Sequence, residues 1–315
     1  MSTAPTATGR PAITKGRASP MSMDRATEQE PHEAPPGVNI VALSPPPGAG
    51  LRPAPWNPPD WLVIGLAAAY VVALAALIFL PSGTLIDRLS QMDAGICAQL
   101  PSHSFFPAGV QLPLCSRNTG IYTGFSAAFL VLLFSGRLRA VRLPGLWVAL
   151  VLGLAVLILA VDGFNSLFLD LRLPHLYQPH NLLRLATGLG TGTAMAAFLL
   201  PVTSGLLWRQ DDNRASFANL GQLAVMAPVL LLAFLVIASQ AAWTLYPVAI
   251  LSTAGLVAAL TLINLVFVVG LSGRQNRYTR PRQFFPVLTV AVALAIVELF
   301  ALAALKAAAL NALHP

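Results

Sequence analysis

Charge is what this sequence has least of. Asp, Glu, Lys and Arg make up only 10% of its 315 residues, against about a quarter in ordinary soluble domains. Apolar side chains account for 56% of the chain and the mean hydropathy is +0.70, which excludes a water-soluble globular fold and indicates an integral membrane protein. Cysteine is nearly absent as well. Cys97 and Cys115 are the two present, so a multi-bridge disulfide framework is excluded and one bridge is the upper bound. No Ser/His/Asp set, His-Glu-x-x-His or haem-attachment motif occurs, and the sequence therefore leans away from an enzyme without deciding the matter. The net charge of +7 does not point to nucleic acid, because the basic residues lie in short segments between apolar runs and form no stripe.

Residues 1–60 hold half of the 26 prolines and no apolar run long enough to pack, a composition that predicts a disordered Pro-rich tail. The first long apolar run begins at Trp61, far from the start, with no small-residue cleavage pattern after it. It reads as an uncleaved membrane anchor. Pro45-Pro46-Pro47 and the segment Pro53 to Pro59 read as linker, with an extended partner-binding ligand as the alternative.

A helix needs roughly 20 mostly apolar residues to cross a bilayer. Segments meeting that test run Trp61–Leu80, Thr119–Ser135, Leu146–Val161, Leu185–Leu207, Gly221–Ser239, Leu245–Leu271 and Phe285–Leu310. The expected fold is therefore all-α, a polytopic integral membrane helical bundle of about seven transmembrane helices. Its expected parts are the 1–60 tail, a four-span core over 61–207 carrying two motif loops, and further spans over 208–315. The basic clusters Arg137 to Arg142, Arg209 to Arg214 and Arg274 to Arg282 fall on the side of the N-terminal tail, opposite the sparser Arg88, Arg117, Arg172, Arg184 and Lys306. Positive charge is retained in the cytoplasm, which places the N-terminus there and both motif loops outside a cell membrane.

The first motif loop reads Cys97-Ala-Gln-Leu-Pro101, Ser104-Phe105-Phe106, Gln111-Leu-Pro113-Leu-Cys115 and Arg117-Asn-Thr119-Gly120-Ile-Tyr122. The second reads Asp162-Gly163, Asn165 and then Asn181-Leu-Leu-Arg184-Leu-Ala-Thr187-Gly188. Together, over about residues 96–192, they resemble a family of predicted membrane proteins called domain of unknown function 2085. That resemblance implies a membrane protein and brings no activity. Members commonly read Cys-His in the first block and Cys-x-x-Cys in the second, a set like a soft metal site. Here Ala98 and Asn118 stand at the matching positions. Cys97, His103 and Cys115 are the remaining weak metal candidates, and a four-ligand site would need a carboxylate such as Asp93. The expectation is no metal and no cofactor, with Cys97 and Cys115 joined by a disulfide closing a loop of about 18 residues. Two free thiols, or a Cys nucleophile served by His103, are the alternatives.

Asn181, Arg184, Gly188 and Gly192 share one helical face. Gly188-x-x-x-Gly192 marks where another helix approaches closely, and with no preceding strand or following Lys these glycines are not a phosphate loop. Asp162 and Asn165 are expected at the outer end of the third span, facing Arg184. That cluster, with Gln99, Arg117, Asn118, Asn181 and Tyr122, is either a structural ion-pair network or a polar mouth for a small anion or lipid head group. Tyr122 and either Phe105 or Phe106 are expected at the membrane interface. Glu298 is an ionisable residue within the seventh span, expected to be neutral, paired or facing water, with Asn264, Gln240 and Lys306 for company. The leading functional reading is a non-enzymatic accessory, assembly or binding component whose outer cap meets a membrane-protein partner or lipid head group. The alternatives are a small-solute or ion transporter using Glu298 and an Asp162/Arg184 mouth, and a membrane enzyme with a degenerate Cys/His metal or redox site.

Overall fold

A computed structural model describes residues 58–59, 61–66, 68–69, 83–209 and 212–313. The Pro-rich tail apart from Pro58 and Pro59 lies outside the described residues, and so does most of the expected span Trp61–Leu80. Helix α1 (Leu85–Asp93) opens with a capping box in which Thr84 Oγ1 accepts from the Asp87 N–H and the Asp87 carboxylate accepts from the Thr84 N–H. The long helices follow: α2 (Ser116–Phe134), α3 (Leu146–Asp170), α4 (Asn181–Leu207), the consecutive pair α5 (Leu220–Ala224) and α6 (Met226–Ala238), α7 (Leu245–Leu271) and α8 (Pro281–Leu313). A two-stranded parallel pairing joins β1 (Ala140–Arg142) to β2 (Asp212–Ala215).

Five helices are long and apolar enough to cross a membrane among the described residues: α3, α4, the α5–α6 unit, α7 with its preceding turn, and α8. Helix α2 is not among them, because Ser116, Arg117, Asn118, Thr119 and Thr123 make its 19 residues comparatively polar. It is nevertheless the centre of the bundle. Its Gly120 and Gly124 lie against the backbone of Leu185 and Leu189, and Gly188 and Gly192 of α4 lie against the backbone of Arg117 and Ile121. On its other side Gly255 of α7 meets the Tyr122 carbonyl and the Ser126 hydroxyl. A side chain at any of these glycines would occupy space that the neighbouring backbone already fills, so main-chain packing holds these helices together where hydrophobic exclusion of water cannot. The expected Gly188/Gly192 face is used, and the helix it receives is α2.

Around this centre α3 packs on α4, and α8 packs on α7. Helix α1 lies across the end where α2 and α4 begin. Its Ile86 and Leu89 are buried with Phe105, Leu112, Leu185, Leu189 and Val248. Gly95, just past α1, sits against the backbone of Leu299 and Ala303. The opposite end carries β1, β2 and the basic loops. There the Arg139 guanidinium stacks 4.2 Å from the Trp208 ring centroid and Ser204 Oγ donates to the Leu138 carbonyl at 2.6 Å. The faces of α3, α6 and α8 that point away from the bundle expose large apolar side chains such as Leu154, Leu157, Leu232, Val297 and Leu305, as lipid contact requires.

The glycine contacts generate the first prediction. Gly192→Leu forces a side chain into the α2 backbone and lowers stability by about 1–3 kcal/mol or more. Gly153→Ala, in open space on α3, raises stability by roughly 0.5–1 kcal/mol. Thermal unfolding in detergent distinguishes them; equal midpoints would contradict the packing.

Candidate functional site

Both motif blocks meet at the α1 end of the bundle and form a cap. The segment from Ile96 to Cys115 is pinned by two glutamines. Gln99 Nε2 donates to the Ser90 and Pro113 carbonyls, each at 2.8 Å, and Gln111 Nε2 donates to the Gln99 carbonyl at 2.8 Å. Gln99 itself has φ 56°, a left-handed conformation that is costly in a residue with a Cβ and that its amide bonds hold in place. The second block docks onto this segment. Asn181 Nδ2 donates to the Ser104 carbonyl at 3.1 Å and to the Ser102 carbonyl at 3.3 Å.

The ion pair in the cap differs from the expected one. Asp162 pairs with Arg117, not with Arg184: Arg117 Nη2 lies 2.6 Å from Asp162 Oδ2 and also donates to Ser166 Oγ at 3.0 Å. The second oxygen of Asp162 accepts from the Tyr177 hydroxyl at 2.8 Å. Arg184, buried, donates to Asn181 Oδ1 at 2.9 Å and reaches Ser166 Oγ at 3.4 Å. The physical reason is helix length. Helix α3 continues past Val161 to Asp170, and α4 begins at Asn181, so Asp162 and Asn165 lie within α3 beside the start of α2. Asn165 does not contact Arg184 either. It staples the connecting loop, accepting from the Leu176 N–H at 2.6 Å and donating to the Tyr177 carbonyl at 2.8 Å.

Cys97 and Cys115 are free thiols, where a disulfide was the expectation. Cys97 Sγ instead accepts backbone N–H bonds from Cys115 at 3.2 Å and Gln99 at 3.4 Å. Cys115 is the N-cap of α2, which places the sulfur at the positive end of a 19-residue helix. The Cys115 thiol donating to it pulls the Cys97 pKa from the ordinary thiol value down to about 6, against the opposing effect of burial and with help from those N–H groups and the Asn118 side chain. Giving up that hydrogen bond, and burial, push Cys115 the other way. Beside them Asp93 is fully buried, with Oδ2 accepting from Thr253 Oγ1 at 2.7 Å. Burial raises its carboxyl to about 7.

A cavity of about 260 Å³ opens onto this pair, lined by Cys97, Gln99, His103, Cys115, Arg117, Asn118, Ser166 and Asp170, among others. His103 Nε2 lies 3.5 Å from Asp170 Oδ1; burial, ahead of the Arg184 charge, lowers its pKa. Among the described residues no three His, Cys, Asp or Glu side chains converge as a metal would need. Lys306 from α8 caps the floor, donating to the Cys97 carbonyl at 2.8 Å and the Ala94 carbonyl at 3.3 Å. Tyr122 packs in the interior of the bundle between two apolar clusters, away from its expected place at the interface; of the two phenylalanines Phe105 is buried and Phe106 is exposed. Its N–H donates to Gln240 Oε1. Glu298 accepts from Asn264 Nδ2 at 2.9 Å, apart from the cap network. Ser166, Tyr177 and Asp170 are the site residues that sequence reasoning missed. Ser166 was findable, since it follows Asp162 by one helical turn.

Residues 97–198 match the family described as "Predicted membrane protein (DUF2085)". The chain is 30% identical over 115 residues to an uncharacterised protein of Methanocaldococcus jannaschii, covering 36% of this chain and 68% of the relative. It is 34% identical over 104 residues to an uncharacterised protein of Methanothermobacter thermautotrophicus, covering 32% of this chain and 81% of the relative. No solved structure matches the chain.

The thiol geometry predicts reactivity. Iodoacetamide alkylation of Cys97 in the reduced protein reaches half its maximal rate near pH 6, as the thiolate held at about 6 requires, and Asn118→Ala moves that midpoint upward. The depressed value stabilises the fold above the ordinary thiol pKa of about 8.5, and that contribution is lost as pH falls through about 6. A half-maximal rate near pH 8.5 would contradict the assignment.

Proposed function

This chain belongs to the membrane-protein family called domain of unknown function 2085, and from that membership and the cap geometry we propose that it is a binding or accessory component of the cell membrane. In this reading it is a multi-pass protein with its N-terminus in the cytoplasm, its cap outside, and the cap cavity as the place where a partner group is received. The observation that carries the reading is that residues from both motif blocks line one cavity: Cys97, Cys115 and Arg117 from the first and Gly163 from the second, with Ser166 of the same helix beside it. The orientation is supported by the distribution of charge, since Arg137, Arg142, Arg209, Arg214, Arg274 and Arg282 gather at the end opposite the cap.

Transport finds less support. Asp162 is closed off by Arg117 and Tyr177, and Glu298 is satisfied by Asn264, so the acids expected to line one path are each held in local pairs.

The test uses the exposed Phe106 beside the cap. A photo-reactive benzoylphenylalanine at this position, activated in native membranes, yields one discrete adduct with a protein or a lipid. In a chain whose native cysteines are replaced by serine, a membrane-impermeant maleimide labels a cysteine placed at Phe106 in intact cells without lysis. No adduct would contradict the accessory role; labelling only after lysis would invert the orientation.

A further inference from the structure

The cap keeps two thiols side by side and spends several interactions on one of them. Cys97 Sγ receives two backbone N–H groups. One of these comes from Gln99, whose left-handed backbone is held in place by both side-chain bonds of its own amide. Backbone donors converging on a sulfur stabilise negative charge there, as at other nests of main-chain N–H groups. A static disulfide makes no use of such an arrangement, because neither of its sulfurs is charged. A sulfur that alternates between thiolate and bonded states does.

Position matters as much as charge. Cys97 is 3% exposed, but it and Cys115 both line the cavity, so a small molecule entering there meets the two sulfurs together. About 260 Å³ is below the range of drug-sized pockets, which start at roughly 300 Å³, and suits one arm of a compact ligand. The walls supply hydrogen-bond donors from Arg117 and Asn118 and a lowered-pKa imidazole, His103. The other ionisable groups around the sulfurs are Asp93 on α1, Tyr122 on α2, Asp170 on α3, Arg184 on α4 and Lys306 on α8, the last tied to the Cys97 carbonyl.

We propose that Cys97 and Cys115 are a redox-active pair that exchanges with small organic disulfides entering the cap cavity, Cys97 attacking first and Cys115 resolving. The inference rests on the cavity in the functional reading above and is independent of the accessory role. The Cys97 thiolate attacks one sulfur of R–S–S–R, forming a Cys97–S–S–R bond and expelling one RS⁻. The Cys115 thiol then gives its proton to a departing thiolate, and its sulfur attacks Cys97 Sγ, breaking the mixed disulfide and releasing the second RS⁻. The protein dithiol is oxidised by two electrons and the organic disulfide is reduced to one RSH and one RS⁻. Hydrogen bonds to the Cys97 thiolate favour the reduced pair, so the oxidised pair is a ready acceptor of electrons from thiols in the reverse reaction.

The test uses the full chain in detergent, reduced and desalted, with 4,4′-dithiodipyridine as the disulfide. Wild type is expected to release two thiopyridones per chain and to carry a Cys97–Cys115 bond by mass spectrometry. Cys115→Ser releases one and keeps a pyridyl adduct on Cys97, and Cys97→Ser reacts at least tenfold more slowly. Equal rates for Cys97→Ser and wild type, with unchanged thermal unfolding, would overturn the assignment of the attacking sulfur. Two pyridyl adducts on wild type without a protein disulfide would overturn exchange while leaving the cavity intact. No reaction until SDS is added would overturn the cavity itself and with it the reading above.

Discussion

Two helices of this protein touch backbone to backbone, and the cap exists because they do. Gly120 and Gly124 of α2 face Leu185 and Leu189, while Gly188 and Gly192 of α4 face Arg117 and Ile121. In lipid the apolar side chains gain nothing by leaving their solvent, so close packing of small residues supplies the attraction. The contact also fixes chemistry. Arg117 is one turn before Ile121 and Arg184 one turn before Gly188, so packing the glycines places both guanidiniums at one level, where Ser166 and Asp162 of α3 meet them.

The cap follows from that level. With α2 drawn against α4, its N-terminus points into the folded segment that runs from α1, and the Cys115 N–H reaches Cys97. A short polar helix at the centre, sheathed by longer apolar ones, reconciles two demands. The outer helices satisfy lipid on their outward faces, while the inner one and the inward faces of α3 and α4 carry the hydroxyls, amides and charge that a site needs.

Much of this was legible in the sequence. The apolar runs show the membrane character and the approximate position of every long helix from α3 onward, and the Gly188/Gly192 spacing shows a contact face. The polar cluster is recognisable as a set, and Gln99, Arg117, Asn118, Asn181 and Arg184 all lie in the cap. Pairing within the set was not legible. Asp162 could reach either arginine, and the choice depends on α3 continuing through Asp162 and Asn165, which hydropathy alone reads as an end. Nor could spacing show that Cys97 Sγ is held by the N–H groups of Gln99 and Cys115, because that depends on where Gln99 turns. Its left-handed backbone has no sequence signature in a glutamine.

The central claim is that the two motif blocks, some eighty positions apart in the chain, are joined into one cap. Disulfide cross-linking tests it most directly, in a chain whose native cysteines are replaced by serine and which carries Ser102→Cys and Asn181→Cys. Asn181 donates to the Ser102 carbonyl at 3.3 Å, so a bond between these positions is expected to form in native membranes under mild oxidation, in most of the chains and within one molecule. A protein that forms no intramolecular bond, while each single-cysteine variant is readily labelled, would show that the blocks lie apart and would contradict the account.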